Sequence, residues 1–333
     1  MTTHPDPLPA LPTARDAEGK IRLLGVEVEF GGLTEGRAAR ILARETGGTL
    51  GRNGTDYRVS GTPFGDCKLY MDTAYRDERE TAFARAALDF ARNFVPVELV
   101  TAPFDPARLP QLDAVIRKFH AAGAVGTEQG LFLGFGVHLN IQTIADEPHH
   151  LWSVTTAFAL LEPLLRRSWP IHINRRVLPF VDPYPASLRD ALAARLLEMP
   201  FPDVDALEDI YLQHAPSRNH ALDLLPALAH HDPALEGRAF GSSKGVSGRP
   251  AFHYRMPDSR LGDPDWSLVA EWALWTRIEA LAEDREMLLR LCAAWGAMRE
   301  HLTFGNSDWA GRCRDMLLAG GHAALARGWQ GRA

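Results

Sequence analysis

Cysteine is scarce in this chain: 333 residues carry three, Cys67, Cys292 and Cys313, with no C-x-x-C pair. That excludes a thiolate zinc site, argues against disulfides and points to a reducing compartment. No run of about 20 apolar residues is present, so no membrane-spanning helix is expected. Positive charge is also in deficit. Lys and Arg total 36 against 42 Asp and Glu, a formal net charge of -6, which leaves no basic footprint for nucleic acid or an anionic membrane surface. A small neutral or charged solute is the better partner. Phosphate-binding and nucleophile signatures are missing too: there is no G-x-x-x-x-G-K-[ST] loop, the glycines between Gly126 and Gly136 lack dinucleotide spacing, and no Ser or Cys sits in a nucleophile elbow. The first residues, rich in Pro, Thr and Asp and without an apolar stretch, read as a disordered tail over about residues 1–20 of a cytoplasmic protein.

What the chain does contain is enough apolar material, 46% of residues, for a substantial core. Arg22 to Phe30 reads as a strand, and Glu35 to Thr46 as a helix stopped by Gly47-Gly48. A loop-and-hairpin region follows from Gly51 to Asp66. Cys67 to Asp72, Val97 to Val100, Gly136 to Ile141 and Ala251 to Met256 read as further strands. Helical periodicity marks Asp77 to Asn93, Pro106 to Ala122, Leu151 to Trp169, Ala186 to Ala215, Asp265 to about Glu300 and Asp308 to about Trp329, with the run Pro179 to Pro185 as loop. The tryptophans Trp266, Trp272 and Trp275 read as core. Strands that alternate polar and apolar, with helices between and after them, give an α+β fold with an antiparallel sheet. We expect one catalytic domain over residues 21–333, with a mainly helical insertion at about 151–250.

The most informative stretch is Gly25-Val-Glu-Val-Glu-Phe30. A strand alternates its side chains, so Glu27 and Glu29 share one face about 6.8 Å apart, while Val26, Val28 and Phe30 enter an apolar layer. Two carboxylates so spaced suit a pair of divalent ions, although a wet strand face presents the same pattern. Asp72, Glu98, His138 and His253 repeat the theme, each a polar residue set singly into a strand. Arg255 shares the face of His253, as a phosphate clamp beside a metal ligand would. Lys244, in Gly241-Ser-Ser-Lys-Gly245, could serve as a cation on a loop flexible enough to wrap a phosphate.

In order, Gly-Val-Glu-Val-Glu-Phe, Glu98-Leu-Val-Thr-Ala-Pro103, Gly136-Val-His-Leu-Asn140, Ser217-Arg-Asn219 and His253-Tyr-Arg-Met-Pro-Asp-Ser-Arg260 resemble the motifs of the amidoligase family. That family is similar to the carboxylate-amine ligases of the glutamine synthetase and glutamate-cysteine ligase fold. The resemblance spans about residues 21 to 300. It implies a curved antiparallel sheet backed by helices, with divalent metal and ATP on the concave face. Glu27, His138 and His253 would hold the metal at the nucleotide phosphates; Glu29, Asp72 and Glu98 would hold the metal near the acceptor carboxylate. Arg255 matches the family's phosphate-contacting arginine and Arg218 a second one. This chain departs at His253, where the family usually has Glu; imidazole favours softer ions than Mg²⁺, so either Mn²⁺ rivals Mg²⁺ here or one metal site is weakened.

The implied activity is ATP-dependent joining of a carboxylate to an amine through an acyl phosphate, on a small amino-acid-like or peptide substrate, with Asp72 accepting the amine proton. Two other classes use the same residues: a metal-dependent hydrolase, and a binding module without turnover. Neither substrate nor oligomeric state is legible.

Overall fold

Alternation in the strands builds the architecture. In this computed structural model, which describes residues 8–71, 96–129, 134–144, 147–176, 181–199, 202–240, 245–300 and 308–327, eight strands form one sheet. They are β1 (Leu24–Phe30), β2 (Thr49–Asn53), β3 (Asp56–Thr62), β4 (Gly65–Met71), β5 (Val97–Val100), β6 (Val137–Gln142), β7 (Leu222–Asp223) and β8 (Ala251–Tyr254). Their spatial order is β2-β3-β4-β5-β1-β6-β8-β7, every pairing is antiparallel, and the sheet is open. β1 therefore lies inside, between β5 and β6.

One face of this sheet is the core. Val26, Val28, Phe30, Leu69, Leu99, Val137, Leu139, Ile141, Phe252 and Tyr254 are all buried on it. Helices cover that face because each presents an apolar stripe to it. Phe119, from the helix Leu109–Ala121, meets Phe30 of β1. Phe158, from the helix Pro148–Ser168, meets Tyr254, and Trp275, from the helix Leu268–Glu283, meets both Phe252 and Tyr254. Trp266, Trp272 and Trp275 are core, as their spacing suggested. Among the described residues no helix is long and apolar enough to cross a membrane.

Several boundaries differ from expectation for local reasons. The helix expected over Ala186 to Ala215 is two, Ala186–Glu198 and Val204–His214, because Pro202 interrupts the pattern and Asp203 caps the second helix through Ala206 N. The long helix expected after Asp265 breaks at Asp284, whose carboxylate accepts from Met287 N and starts the helix Arg285–Glu300. Gly320 and Gly321, the latter at φ 85°, split the last helix into Trp309–Ala319 and Ala323–Ala326. The expected tail is packed from residue 8 onward: Leu11 is buried, and the Trp272 indole donates to the Pro9 carbonyl. Apolar Leu8 and Leu11 find a groove that the Pro-rich composition did not reveal. The helix expected over Asp77 to Asn93 lies outside the described residues.

Candidate metal centre

The opposite face of the sheet collects the polar strand residues. Register places Glu27 of β1 opposite His138 of β6, and Glu29 opposite Glu98 of β5. One strand further, Asn140 of β6 faces His253 of β8, and His253 faces Asp223 of β7. Cross-strand partners project from the same side of a sheet, so Glu27, Glu29, Glu98, His138, Asn140, Asp223 and His253 share one surface. Arg255, two residues beyond His253, continues that alternation, and Arg218 lies in the turn before β7. Asp72 and Lys244 lie outside the described residues.

Three of these residues converge. Glu27, His138 and His253 offer one ligand atom each, all within 4.8 Å of one another. The rings of His138 and His253 stand edge to face, their centroids 5.0 Å apart. His138 Nδ1 lies 2.8 Å from Glu27 Oε2, and Asn140 Nδ2 donates to Glu27 Oε1 at 2.9 Å. The surface is recessed rather than wet, since Glu98, His138 and His253 are buried. Burial alone would raise the Glu27 carboxyl, but its hydrogen bonds and the neighbouring imidazoles override that and hold it well below the ordinary range. Burial lowers His253 to about 4, against the opposing pull of Asp223. At neutral pH the cluster is then an ionised carboxylate with at least one neutral imidazole, the forms that bind metal.

The donor set fits a divalent ion on two counts. Among the described residues His253 Nε2 is buried with no hydrogen-bond partner, an arrangement that costs stability unless the lone pair is used. Two imidazoles and one carboxylate are also a recurring donor set for transition ions, softer than the all-oxygen shells preferred by Mg²⁺. Around this cluster the expected residues divide. Glu29 and Glu98 face each other across β1 and β5, a like-charge pairing that a cation would offset. Glu29 Oε2 also accepts from Gly136 N at 2.7 Å. Arg255 donates to the Arg218 carbonyl at 2.6 Å, and Arg218 Nε donates to Asp223 Oδ2 at 3.1 Å.

Two residues at this site were not singled out from the sequence. Asn140 enters the sequence reading only as the end of the Gly136-Val-His-Leu-Asn140 motif, yet it orients Glu27. Asp223 had a signal that went unused, a lone acid within Ala221-Leu-Asp-Leu-Leu225; such a residue must either break the apolar run or be buried and paired. It is fully buried.

A family model described as "putative amidoligase enzyme" matches residues 20–277. No curated protein matches the chain.

Proposed function

Because this chain belongs to the putative amidoligase family, we propose that it is an ATP-dependent carboxylate-amine ligase that forms an amide or peptide bond on a small amino-acid-like or peptide substrate. The observation that carries the reading is the Glu27, His138 and His253 cluster on the recessed face of the sheet, which the family match and the buried free nitrogen of His253 both support. The fold proposed with it is that of the glutamine synthetase-like ligases. The open antiparallel sheet backed by helices is compatible with that fold.

In this reading Glu27, His138 and His253 hold one divalent ion, with Mn²⁺ favoured over Mg²⁺ by the imidazoles, and Glu29 and Glu98 together with Asp72 hold a second. When bound, such ions neutralise phosphate charge and polarise the oxygens between which a phosphoryl group passes. The chain's own residues do the rest. Asn140 donates to Oε1 of Glu27 and His138 pairs with its Oε2, so the carboxylate is oriented toward the cluster before any ion arrives. Arg255 and Arg218, braced against each other, offer guanidinium groups for the γ-phosphoryl and the acceptor carboxylate, with Lys244 as a further cation. The recess limits water, which protects an acyl phosphate from hydrolysis. Asp72 is the proposed acceptor of the proton lost by the attacking amine.

The test is ADP release and a new product mass from mixtures of amines and carboxylates, in Mn²⁺ and in excess chelator. Product that forms without nucleotide would refute the ligase reading. A metal-dependent hydrolase is the second reading, favoured by the donor set itself, because two histidines and a glutamate also hold hydrolytic zinc. It requires turnover of an amide or phosphoester in nucleotide-free buffer.

A further inference from the structure

We infer that Asp223 is the positioning residue of this centre: it holds His253 with Nδ1 protonated, which leaves Nε2 as a ready metal donor. The inference rests on the divalent-ion reading above.

The argument starts from the shape of the chain. β7 has two residues, Leu222 and Asp223, and among the described residues its only sheet neighbour is β8. That short pairing sets Asp223 directly opposite His253, with Oδ2 3.3 Å from the imidazole Nδ1. An ionised carboxylate can only accept, so Nδ1 must carry the proton. Asp223 is kept ionised despite complete burial by the donors around it: Arg218 Nε reaches Oδ2 at 3.1 Å, and Leu225 N reaches Oδ1 at 3.1 Å. The other nitrogen of His253, Nε2, is the one buried without a partner among the described residues. A neutral imidazole with Nδ1–H tied to a carboxylate and Nε2 bare is the arrangement by which carboxylates orient ligand histidines and strengthen their donation.

A role confined to folding would look different. Oδ1 alone satisfies Leu225 N, the task of a turn-capping aspartate, whereas Oδ2 is given to His253 and Arg218. Both of those face the proposed site. Arg218 gains a role as well: its Nε is committed to Asp223, and its backbone carbonyl accepts from Arg255 NH1 at 2.6 Å. Arg218, Asp223, His253 and Arg255 therefore form one braced unit. Its purpose is to present a nitrogen lone pair on β8 toward the carboxylate of β1.

The experiment uses full-length protein labelled with ¹⁵N-histidine, in chelator, with His253 assigned by comparison with His253→Gln. Wild type should show His253 protonated on Nδ1, and Asp223→Asn should move the proton to Nε2 or mix the tautomers. On the same proteins Mn²⁺ titration should show affinity falling about 10- to 100-fold in Asp223→Asn. In the His253→Gln background the same change should cost less than about threefold, because its effect passes through the imidazole. A wild-type His253 protonated on Nε2 overturns the inference, and so does an equal Mn²⁺ loss in both backgrounds. If Asp223→Asn fails to fold, the wild-type tautomer decides alone. A wild type with Nδ1–H that binds no Mn²⁺ overturns the metal reading instead, so the two failures are distinguishable.

Discussion

Replacing Glu279 by glutamine should destabilise the protein by about 3 kcal/mol at neutral pH and leave the proposed metal site intact. Glu279 sits on the helix Leu268–Glu283, behind the sheet, where it ties down the start of β1. Arg22 NH1 donates to Oε2 at 2.7 Å and NH2 to Oε1 at 2.9 Å, while the Trp275 indole donates to Oε1 at 2.7 Å. Arg22 and Glu279 are both buried. Burial would raise the carboxyl, yet His150, its Nε2 3.7 Å away, and the donors of Arg22 hold it down to about 2, from an ordinary 4.5. A displacement of that size corresponds to about 3 kcal/mol of stability, because one pH unit is worth about 1.4 kcal/mol. Removing the carboxylate leaves the buried Arg22 charge among neutral partners, the new amide and the carbonyls of Thr13 and Gln142, which pushes the cost upward rather than downward. For a chain of this length, unfolding entropy near the midpoint is about 0.7 kcal/mol/K, so the midpoint should fall by about 4–5 °C. The sign with pH is fixed: the folded carboxyl is depressed, so its contribution is full above about pH 4.5 and fades as pH falls toward 2. Thermal and urea unfolding of both proteins at pH 7, 5 and 3 tests this. The gap should shrink to less than half by pH 3. A gap below 1 kcal/mol at pH 7, or one unchanged at pH 3, would refute the reasoning.

Further outcomes follow from the other face. His253→Glu should raise Mg²⁺ affinity relative to Mn²⁺ by about tenfold or more, since a hard oxygen replaces an imidazole; calorimetry with each ion checks it, and an unchanged ratio removes His253 from the ligand set. Glu29→Gln keeps an oxygen for Gly136 N, so stability should change by about 1 kcal/mol or less, while ligase rate falls about 100-fold or more. Melting and ADP release on one preparation separate those effects, and a wild-type rate would mark Glu29 as incidental. Gly136→Ala should cost about 1–3 kcal/mol, because its Cβ would lie 2.7 Å from Arg175 NH2. Arg175 cannot swing away cheaply, being held by the carbonyls of Arg255, Met256 and Pro257 and by Asp258. Chemical denaturation measures that loss, and a neutral variant would show that the Arg175 hold is loose.

The site was legible where one strand encodes both its faces. Glu27 and Glu29 could be assigned to a common surface from alternation alone, and β5 appears at Val97–Val100 as read. The helix Glu35–Thr46 was also plain, with Gly47 at φ 70° stopping it. Long-range register was not legible. That Glu27 faces His138, or that His253 faces both Asn140 and Asp223, depends on pairings between distant segments, which only the packed sheet decides. The burial of Glu98, His138 and His253 was missed for the same reason: alternation gives a face but not what covers it. Asp223 escaped because a two-residue strand has no periodicity to read.

The order of strands has a consequence for synthesis. β6 ends at Gln142 and its outer neighbour β8 begins at Ala251, about 110 residues later, which a ribosome adds in roughly 5–20 s. Until then the nascent sheet ends in a flank bearing Val137, Leu139 and Ile141, with open amides and carbonyls ready to pair with another chain. Chaperone dependence and losses to inclusion bodies should therefore track the elongation rate through this window more than the stability of the finished fold. Truncations that stop before Ala251 should collect in the insoluble fraction. His253 also arrives on the last strand of the trio, so an ion at the proposed site could not guide early folding and would mark a chain whose sheet is already complete.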